Sequence, residues 1–408
     1  MTAMVARFER VQWFGPRAVG IYGIVLGALA FWLMLPPLEA RTKVLPVAFG
    51  ILAAAAGIWS ASRGERRVGW GAVVAGLLGI GLGLLATRSS TAHLDSVVVW
   101  SSLFAATLRY ATPLCYAAIG GLYCERSGVI NVALEGMMLS GAFFGVEAAV
   151  WAHGWAGNEA WIVGIIGAGI SGMVFATIHA IWSIQVKVDQ IISGTAINFL
   201  ALGITGYLFI DKYGDTGTPG DLANYGIPDI HLSFISSIPF IGPIFGQLNL
   251  MIWLSFVLLI VTWFFVFRTP YGLRLRSVGE HPRAADTVGI NVFKVRYMAV
   301  IASGGIAAMG GAYLTLGFVH SFSENITAGT GFIGLAALVF GKWRPFPTYA
   351  ATLLFGFSSA LANNLTTYGD QWGPLFSALP YVLTLVAVAG VIGRSIGPAA
   401  AGRPYVKQ

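Results

Sequence analysis

Charge is scarce in this sequence: only 10% of its 408 residues are Asp, Glu, Lys or Arg, while 56% are hydrophobic. Soluble domains carry about 25% charged residues. A soluble core this apolar would have no polar surface to show water, so the shortage of charge points to the bilayer as solvent. Cysteine is nearly absent. Cys115 and Cys124 lie in or beside one apolar run without CxxC spacing, which excludes a disulfide framework and a thiolate metal site. No GxxxxGK[ST] phosphate loop occurs; Gly341-Lys342 is followed by Trp343. No Ser/His/Asp or metal-ligand grouping survives the placement of the apolar runs, so no catalytic and no metal-binding residue is assigned. A cleavable leader is also not expected. The first apolar run starts near Ala18 and passes on into further runs, as a first membrane helix does.

What the sequence does contain is apolar length. A helix needs about 20 apolar residues to cross the hydrocarbon core, and about twelve runs qualify as candidates. They lie near 18–36, 44–62, 68–87, 97–121, 129–152, 160–185, 190–210, 248–267, 295–318, 328–341, 346–364 and 375–393. The run at 328–341 is too short to cross alone and reads as a half-helix. With the N-terminus in the cytoplasm, only Arg41, Lys43, Arg88 and Lys212 of the 24 basic residues fall outside, and Arg109 falls within a span. This is a strong positive-inside bias, with both termini cytoplasmic. The net charge of +7 is therefore a topology signal and not a nucleic-acid footprint. The 27 Trp and Tyr residues, many near span ends, read as interface anchors.

A motif recurs. Ala117-Ala118-Ile119-Gly120-Gly121-Leu122-Tyr123 returns as Ala307-Ala308-Met309-Gly310-Gly311-Ala312-Tyr313. Gly128-Val129-Ile130-Asn131 follows the first, and Gly331-Phe332-Ile333-Gly334 follows the second. The topology puts the first motif near the inner end of its helix and the second near the outer end of its own. The two halves would then be antiparallel, a design that places a transporter's substrate site near the midplane. The repeat covers about 97–393 and leaves the first three spans as an added module. The expected fold is an all-α polytopic membrane protein, with residues 1–92 as an N-terminal extension and 93–408 as the inverted-repeat core.

Polar groups in hydrocarbon are costly and face a cavity or a partner. Asn131 and Glu135 are four apart and are expected to share one helix face. Glu135 is the one acid placed well inside a span; it could bind a hydroxyl-rich ligand or pair with Arg109. His179 reads as a helix-packing histidine. Asn198, Gln185 and Asn363-Asn364 are further candidates, for a cavity or for helix–helix hydrogen bonds. Gly167-Ala168-Gly169-Ile170-Ser171-Gly172 fits GxGxxG, but inside a membrane span its glycines serve packing and not dinucleotide binding. The largest inner loop, about 268–294, contains Pro282 followed by Ala284-Ala285 and Gly289. That pattern predicts a short helix able to dock on a soluble partner, or simply a basic topology loop.

Glu125-Arg126-Ser127-Gly128-Val129-Ile130-Asn131-Val132-Ala133-Leu134-Glu135-Gly136-Met137-Met138 resembles the signature of permeases of simple-sugar and branched-chain amino-acid ABC importers, and most the nucleoside branch. So do the segments 189–198, 279–291 and 397–405. The resemblance spans about 95–408. It implies a permease subunit of a nucleoside or simple-sugar importer in the bacterial cytoplasmic membrane, surrounded by lipid and without nucleic acid. It implies a second permease chain, either a paralogue or a second copy. It also implies an extracytoplasmic substrate-binding lipoprotein and a cytoplasmic ATP-binding subunit. ATP–Mg would be bound by that subunit, with no cofactor in this chain. Asn131, Glu135 and Asn198 fall in the translocation motifs and become the candidate substrate-binding residues. Glu280, Pro282, Arg283, Ala284, Ala285 and Gly289 resemble the coupling helix that meets the ATPase. Arg283 stands where the general pattern carries an acid. The rival expectations are an ion-coupled secondary transporter of a small polar solute, and a channel.

Overall fold

The computed structural model describes residues 15–34, 44–88, 100–214, 217–238, 241–366 and 396–407. The chain divides into two compact units, residues 1–103 with 361–394 and residues 104–360 with 395–408.

In the first unit three helices pack side by side: α1 (Pro16–Trp32), α2 (Val44–Ser62) and α3 (Arg66–Arg88). Glycine at the contacts lets their backbones approach. A Cβ on Gly76 would lie 2.5 Å from the Gly50 carbonyl, and one on Gly79 2.3 Å from that of Gly27. Small residues serve this purpose where lipid offers no hydrophobic drive between helices. The outward face is apolar, with Ile51, Leu52 and Ile58 all more than half exposed.

The second unit carries α4 (Trp100–Arg126), α5 (Leu134–Ala156), α6 (Ala160–Ala180), α7 (Gln190–Tyr213) and α8 (Leu250–Arg268). After them come two short helices, α9 (Pro270–Glu280) and α10 (Pro282–Thr287). Then follow α11 (Val292–Ala312), α12 (Thr330–Phe340) and α13 (Pro345–Thr366). The helix starts follow capping chemistry. Asp189 accepts from the N–H groups of Ile191 and Ile192, Thr269 from Gly272, and Asn291 from Lys294. Pro270 and Pro282 occupy first-turn positions, where a missing N–H costs nothing. Two short strands, Asp229–His231 and Gln247–Asn249, pair antiparallel in the segment before α8.

Among the described residues, five stretches are long and apolar enough to cross a membrane: Val44–Ser62, Leu134–Val186, Gln190–Tyr213, Leu250–Arg268 and Val292–Val319. The second contains α5 and α6, which fold back on each other at Gly157–Glu159. The expected short helix is α12, only 11 residues long. At 1.5 Å per residue it reaches about 16 Å, half of a bilayer core. The run expected at 375–393 lies outside the described residues.

The two recurring motifs meet. A Cβ on Gly120 would lie 2.7 Å from the Ser303 carbonyl and 3.3 Å from Ala307 N. One on Gly310 would lie 2.8 Å from Tyr116 Cβ and 3.2 Å from the Pro113 carbonyl. Rising numbers on α4 oppose falling numbers on α11, so the two helices run antiparallel, with the motifs in contact at Gly120 and Ala307. Their successors cross over. On α5, a Cβ at Gly141 would lie 2.2 Å from the Ala308 carbonyl; on α12, one at Gly334 would lie 2.7 Å from Ala117 Cβ. Gly172, at the end of the GxGxxG match, packs 2.3 Å from the Gly304 carbonyl by the same measure, as the packing reading requires.

Candidate functional site: a pair of broken helices

Helix α4 stops at Arg126 because Gly128 turns left-handed, with φ of 89°. Five residues, Val129 to Ala133, then run without helix before α5 begins at Leu134. Such a break frees backbone groups that lipid cannot satisfy, so protein must. Ile130 N–H donates to Gln190 Oε1 (2.6 Å), and the Ile130 carbonyl accepts from His179 Nε2 (3.1 Å). With Nε2 the donor, Nδ1 of a neutral ring accepts from the Ser193 hydroxyl at 2.9 Å. Asn198 does two tasks: its Nδ2 donates to the Val132 carbonyl (3.0 Å), and its Oδ1 accepts from Gly136 N–H (2.8 Å).

Asn131 lies in the break itself, ahead of α5, so it does not share a helix face with Glu135 as the spacing predicts. The reason is the left-handed turn at Gly128, which interrupts the helical register. Its Oδ1 accepts from Ala133 N–H at 3.1 Å and its Nδ2 donates to Ser303 Oγ at 3.0 Å. Asn131 therefore caps its own turn and ties it to α11.

Glu135 stands in the first turn of α5 and reaches a second break. Between α11 and α12 the chain runs through left-handed residues at His320, Asn325, Ala328 and Gly329. Glu135 Oε1 accepts from Thr327 Oγ1 (2.6 Å) and Gly329 N–H (2.8 Å), and Oε2 accepts from Gly331 N–H (2.6 Å). The carboxylate thus caps the N-terminus of the half-helix, where unpaired N–H groups and the helix dipole both favour negative charge. The Arg109 alternative is not realised. Arg109 is exposed on α4, and the Glu135 oxygens are occupied by the second break.

The end of α4 is also joined to the turn between α12 and α13. Arg126 donates through Nε and Nη2 to the Trp343 carbonyl at 3.0 and 2.6 Å, and Glu125 accepts from the Trp343 indole N–H. Lys342 and Trp343 are both left-handed, so the turn between α12 and α13 is held in a conformation that side chains resist.

All three candidate substrate-binding residues, Asn131, Glu135 and Asn198, therefore converge on the two breaks and spend their polar atoms on backbone or side chains there. Gln190, Ser303 and Thr327 belong to the same network and are not singled out by the sequence. An intramembrane polar side chain is the available signal for Ser303 and Gln190. Thr327 carries none, because its importance is set by where Glu135 lands.

On α9 and α10, Glu280, Arg283, Ala284 and Gly289 are exposed, Pro282 is half-buried and Ala285 is buried. The short helix expected at Pro282 forms, and Gly289 ends it with φ of 85°.

Antiparallel motif helices, a half-helix and buried polar caps at two breaks are the design of membrane transporters. The particular class follows from comparison. The sequence profile of the branched-chain amino acid transport system permease component family matches residues 102–388, and the chain belongs to that family. It is 42% identical over 323 residues to the guanosine ABC transporter permease protein NupQ of Bacillus subtilis, covering 77% of this chain and 99% of that protein. It is 37% identical over 306 residues to the nucleoside ABC transporter permease protein NupC of Lactococcus lactis, covering 74% of this chain and 95% of that one. A putative glucose ABC transporter permease, TsgC13 of Haloferax volcanii, is 36% identical over 292 residues, covering 70% and 85%. No solved structure matches. The chain is a multi-pass membrane permease subunit of an ABC transporter.

Proposed function

We propose that this permease carries nucleosides into the cell by alternating access, driven by ATP bound to a separate subunit. The guanosine and nucleoside permeases at 42% and 37% identity support the cargo; the glucose relative at 36% makes a simple sugar the runner-up. The observation that carries the mechanism is Glu135, a carboxylate of one broken helix capping the half-helix of the other. The antiparallel seating of the two motifs supports an inverted repeat, whose halves rock about a midplane path. Asn131, Glu135 and Asn198 shape that path by fixing the breaks that frame it.

The finer architecture in this reading has about twelve membrane helices, with residues 1–92 as an added module on a 93–408 core and both termini cytoplasmic. The working assembly holds a second permease chain, a cytoplasmic ATP-binding subunit carrying ATP–Mg, and an extracytoplasmic binding lipoprotein. Glu280, Pro282, Arg283, Ala284, Ala285 and Gly289 form the coupling face for the ATP-binding subunit. Arg283→Glu is expected to weaken co-purification of that subunit about tenfold, the scale of one reversed interfacial charge. Undiminished co-purification would remove Arg283 from the interface.

The function itself is tested with the assembled transporter in proteoliposomes. Labelled guanosine should accumulate only with ATP on the cytoplasmic face and should ignore ionophores. Uptake that collapses with ionophores and is indifferent to ATP would replace this reading with the ion-coupled one.

A further inference from the structure

The C-terminal tail, residues 396–407, lies against both the inner loop and the first break. Ala400 N–H donates to the Gly279 carbonyl at 2.9 Å, and Ala399 N–H to Glu280 Oε2 at 3.2 Å. Tyr405 is buried with Val278, Ala285 and Val292, packs on Phe293 with ring centroids 5.4 Å apart, and donates its hydroxyl to Asp286 Oδ2 at 2.8 Å. Burial, with the Asp286 carboxylate as acceptor, pushes the Tyr405 hydroxyl above its ordinary pKa. One side of the tail therefore holds α9 and α10.

Its other side holds the break. Arg296 of α11, only 1% exposed, donates to the Arg403 carbonyl at 3.2 Å, and the same guanidinium lies 3.0 Å from where a Gly128 Cβ would be. A Cβ on Gly402 would meet the Ile130 side chain at 3.1 Å. Beneath the tail the two partners touch directly, since a Cβ on Gly279 would lie 2.1 Å from the Arg126 carbonyl. The tail and α10 also line one cleft of about 580 Å³, to which α10 brings Arg283 and the tail Arg403.

We propose that the tail is a clamp that joins α9–α10 to the break between α4 and α5, so that the two move as one body during transport. Arg403 and Tyr405 are then positioning residues: they touch no cargo and act through α10 and the break. The inference rests on the importer reading above, because only a permease driven from its inner face needs such a link. The physical case is rigidity. A six-residue helix such as α10 has little stability of its own. Displacing it from α11 would break the Tyr405–Asp286 bond if the tail stayed on α11, or leave the buried Arg296 without its Arg403 acceptor if the tail followed α10, and either loss is costly.

The test uses the whole transporter in proteoliposomes and reads guanosine imported per ATP hydrolysed. Wild-type uptake that ignored ATP would overturn the importer reading itself, before any tail variant is compared. With ATP-driven uptake established, Tyr405→Phe should lower the import-to-ATP ratio about tenfold while the ATP-binding subunit still co-purifies. Asp286→Ala, which removes the acceptor, should do the same, and the double variant should be no worse than either single one, because both remove one bond. A transporter whose permease chain ends at Ser395 should hydrolyse ATP with almost no import. An unchanged ratio in Tyr405→Phe, or losses that multiply in the double variant, would overturn the clamp even if the truncated chain failed to fold.

Discussion

Glu135→Gln is expected to reduce nucleoside uptake by at least about tenfold while leaving the ATP-binding subunit attached. The carboxylate accepts from three donors, Thr327 Oγ1, Gly329 N–H and Gly331 N–H, using both oxygens. Glutamine keeps the shape but has one acceptor oxygen. If that oxygen serves Thr327 and Gly329, the amide NH₂ faces the Gly331 N–H, donor against donor. The residue is 7% exposed, so water cannot make good the loss. Leaving a buried donor unpaired costs about 1–3 kcal/mol. Removing the charge at a partly buried helix N-terminus costs up to about 2 kcal/mol more. Together these loosen the start of α12, the one element tied to α5 through this side chain. The Arg283 face is not among the groups the substitution disturbs, so co-purification should persist. Paired uptake and pull-down assays check the split, and wild-type uptake would end the case for Glu135 as the cap on which transport depends.

The second large effect is steric. Gly311 lies where α11 crosses α5, and a Cβ there would come 1.9 Å from the Met138 carbonyl and 2.8 Å from Ala142 N. Neither obstacle is the end of a flexible side chain; both are backbone. Gly311→Ala must push two packed helices apart, at a cost of about 3 kcal/mol or more. The displacement falls beside Leu134–Met138, where the break and its caps are assembled, so uptake should be lost along with stability. Gly203 on α7 supplies the control, since a Cβ there meets nothing within 4 Å. Gly203→Ala should be neutral or stabilising by about 0.5–1 kcal/mol through helix propensity. Melting temperatures of the two variants in detergent decide the matter. Equal values would mean that α5 and α11 do not touch at Gly311.

The first effect has a wider cause. The broken segments are expensive in lipid, and the protein meets the cost with polar side chains brought from elsewhere in the chain. His179 and Gln190 serve Ile130, Asn198 serves Val132 and Gly136, and Glu135 serves Gly329 and Gly331. These polar residues lie within otherwise apolar helices, which is why the sequence marks several of them as important. It does not say for what.

Much of the architecture is legible in the sequence alone. Apolar length locates α2, which ends at Ser62 as the run at 44–62 does, and marks α12 as too short to cross. Both are one-dimensional properties, set by composition over a turn or more of helix. Pro282 and Gly289 predict α10 because first-turn proline and a left-handed glycine act locally. The repeated Ala-Ala-x-Gly-Gly motif points to two related helices of opposite sense.

Three things needed the tertiary structure. Asn131 is expected on a helix and lies in a break, because Gly128 switches to positive φ and the periodic pattern does not record that switch. Glu135 has two expected roles, ligand contact or a bond to Arg109; it caps a half-helix, and its Gly331 partner is 196 positions along the chain. The tail's hold on α10 joins residues 119 positions apart through Tyr405 and Asp286. Composition and periodicity determine what a segment is, helix or break, lipid-facing or not. Which breaks face each other is decided by how the antiparallel motifs seat, a contact between distant segments that no local pattern encodes.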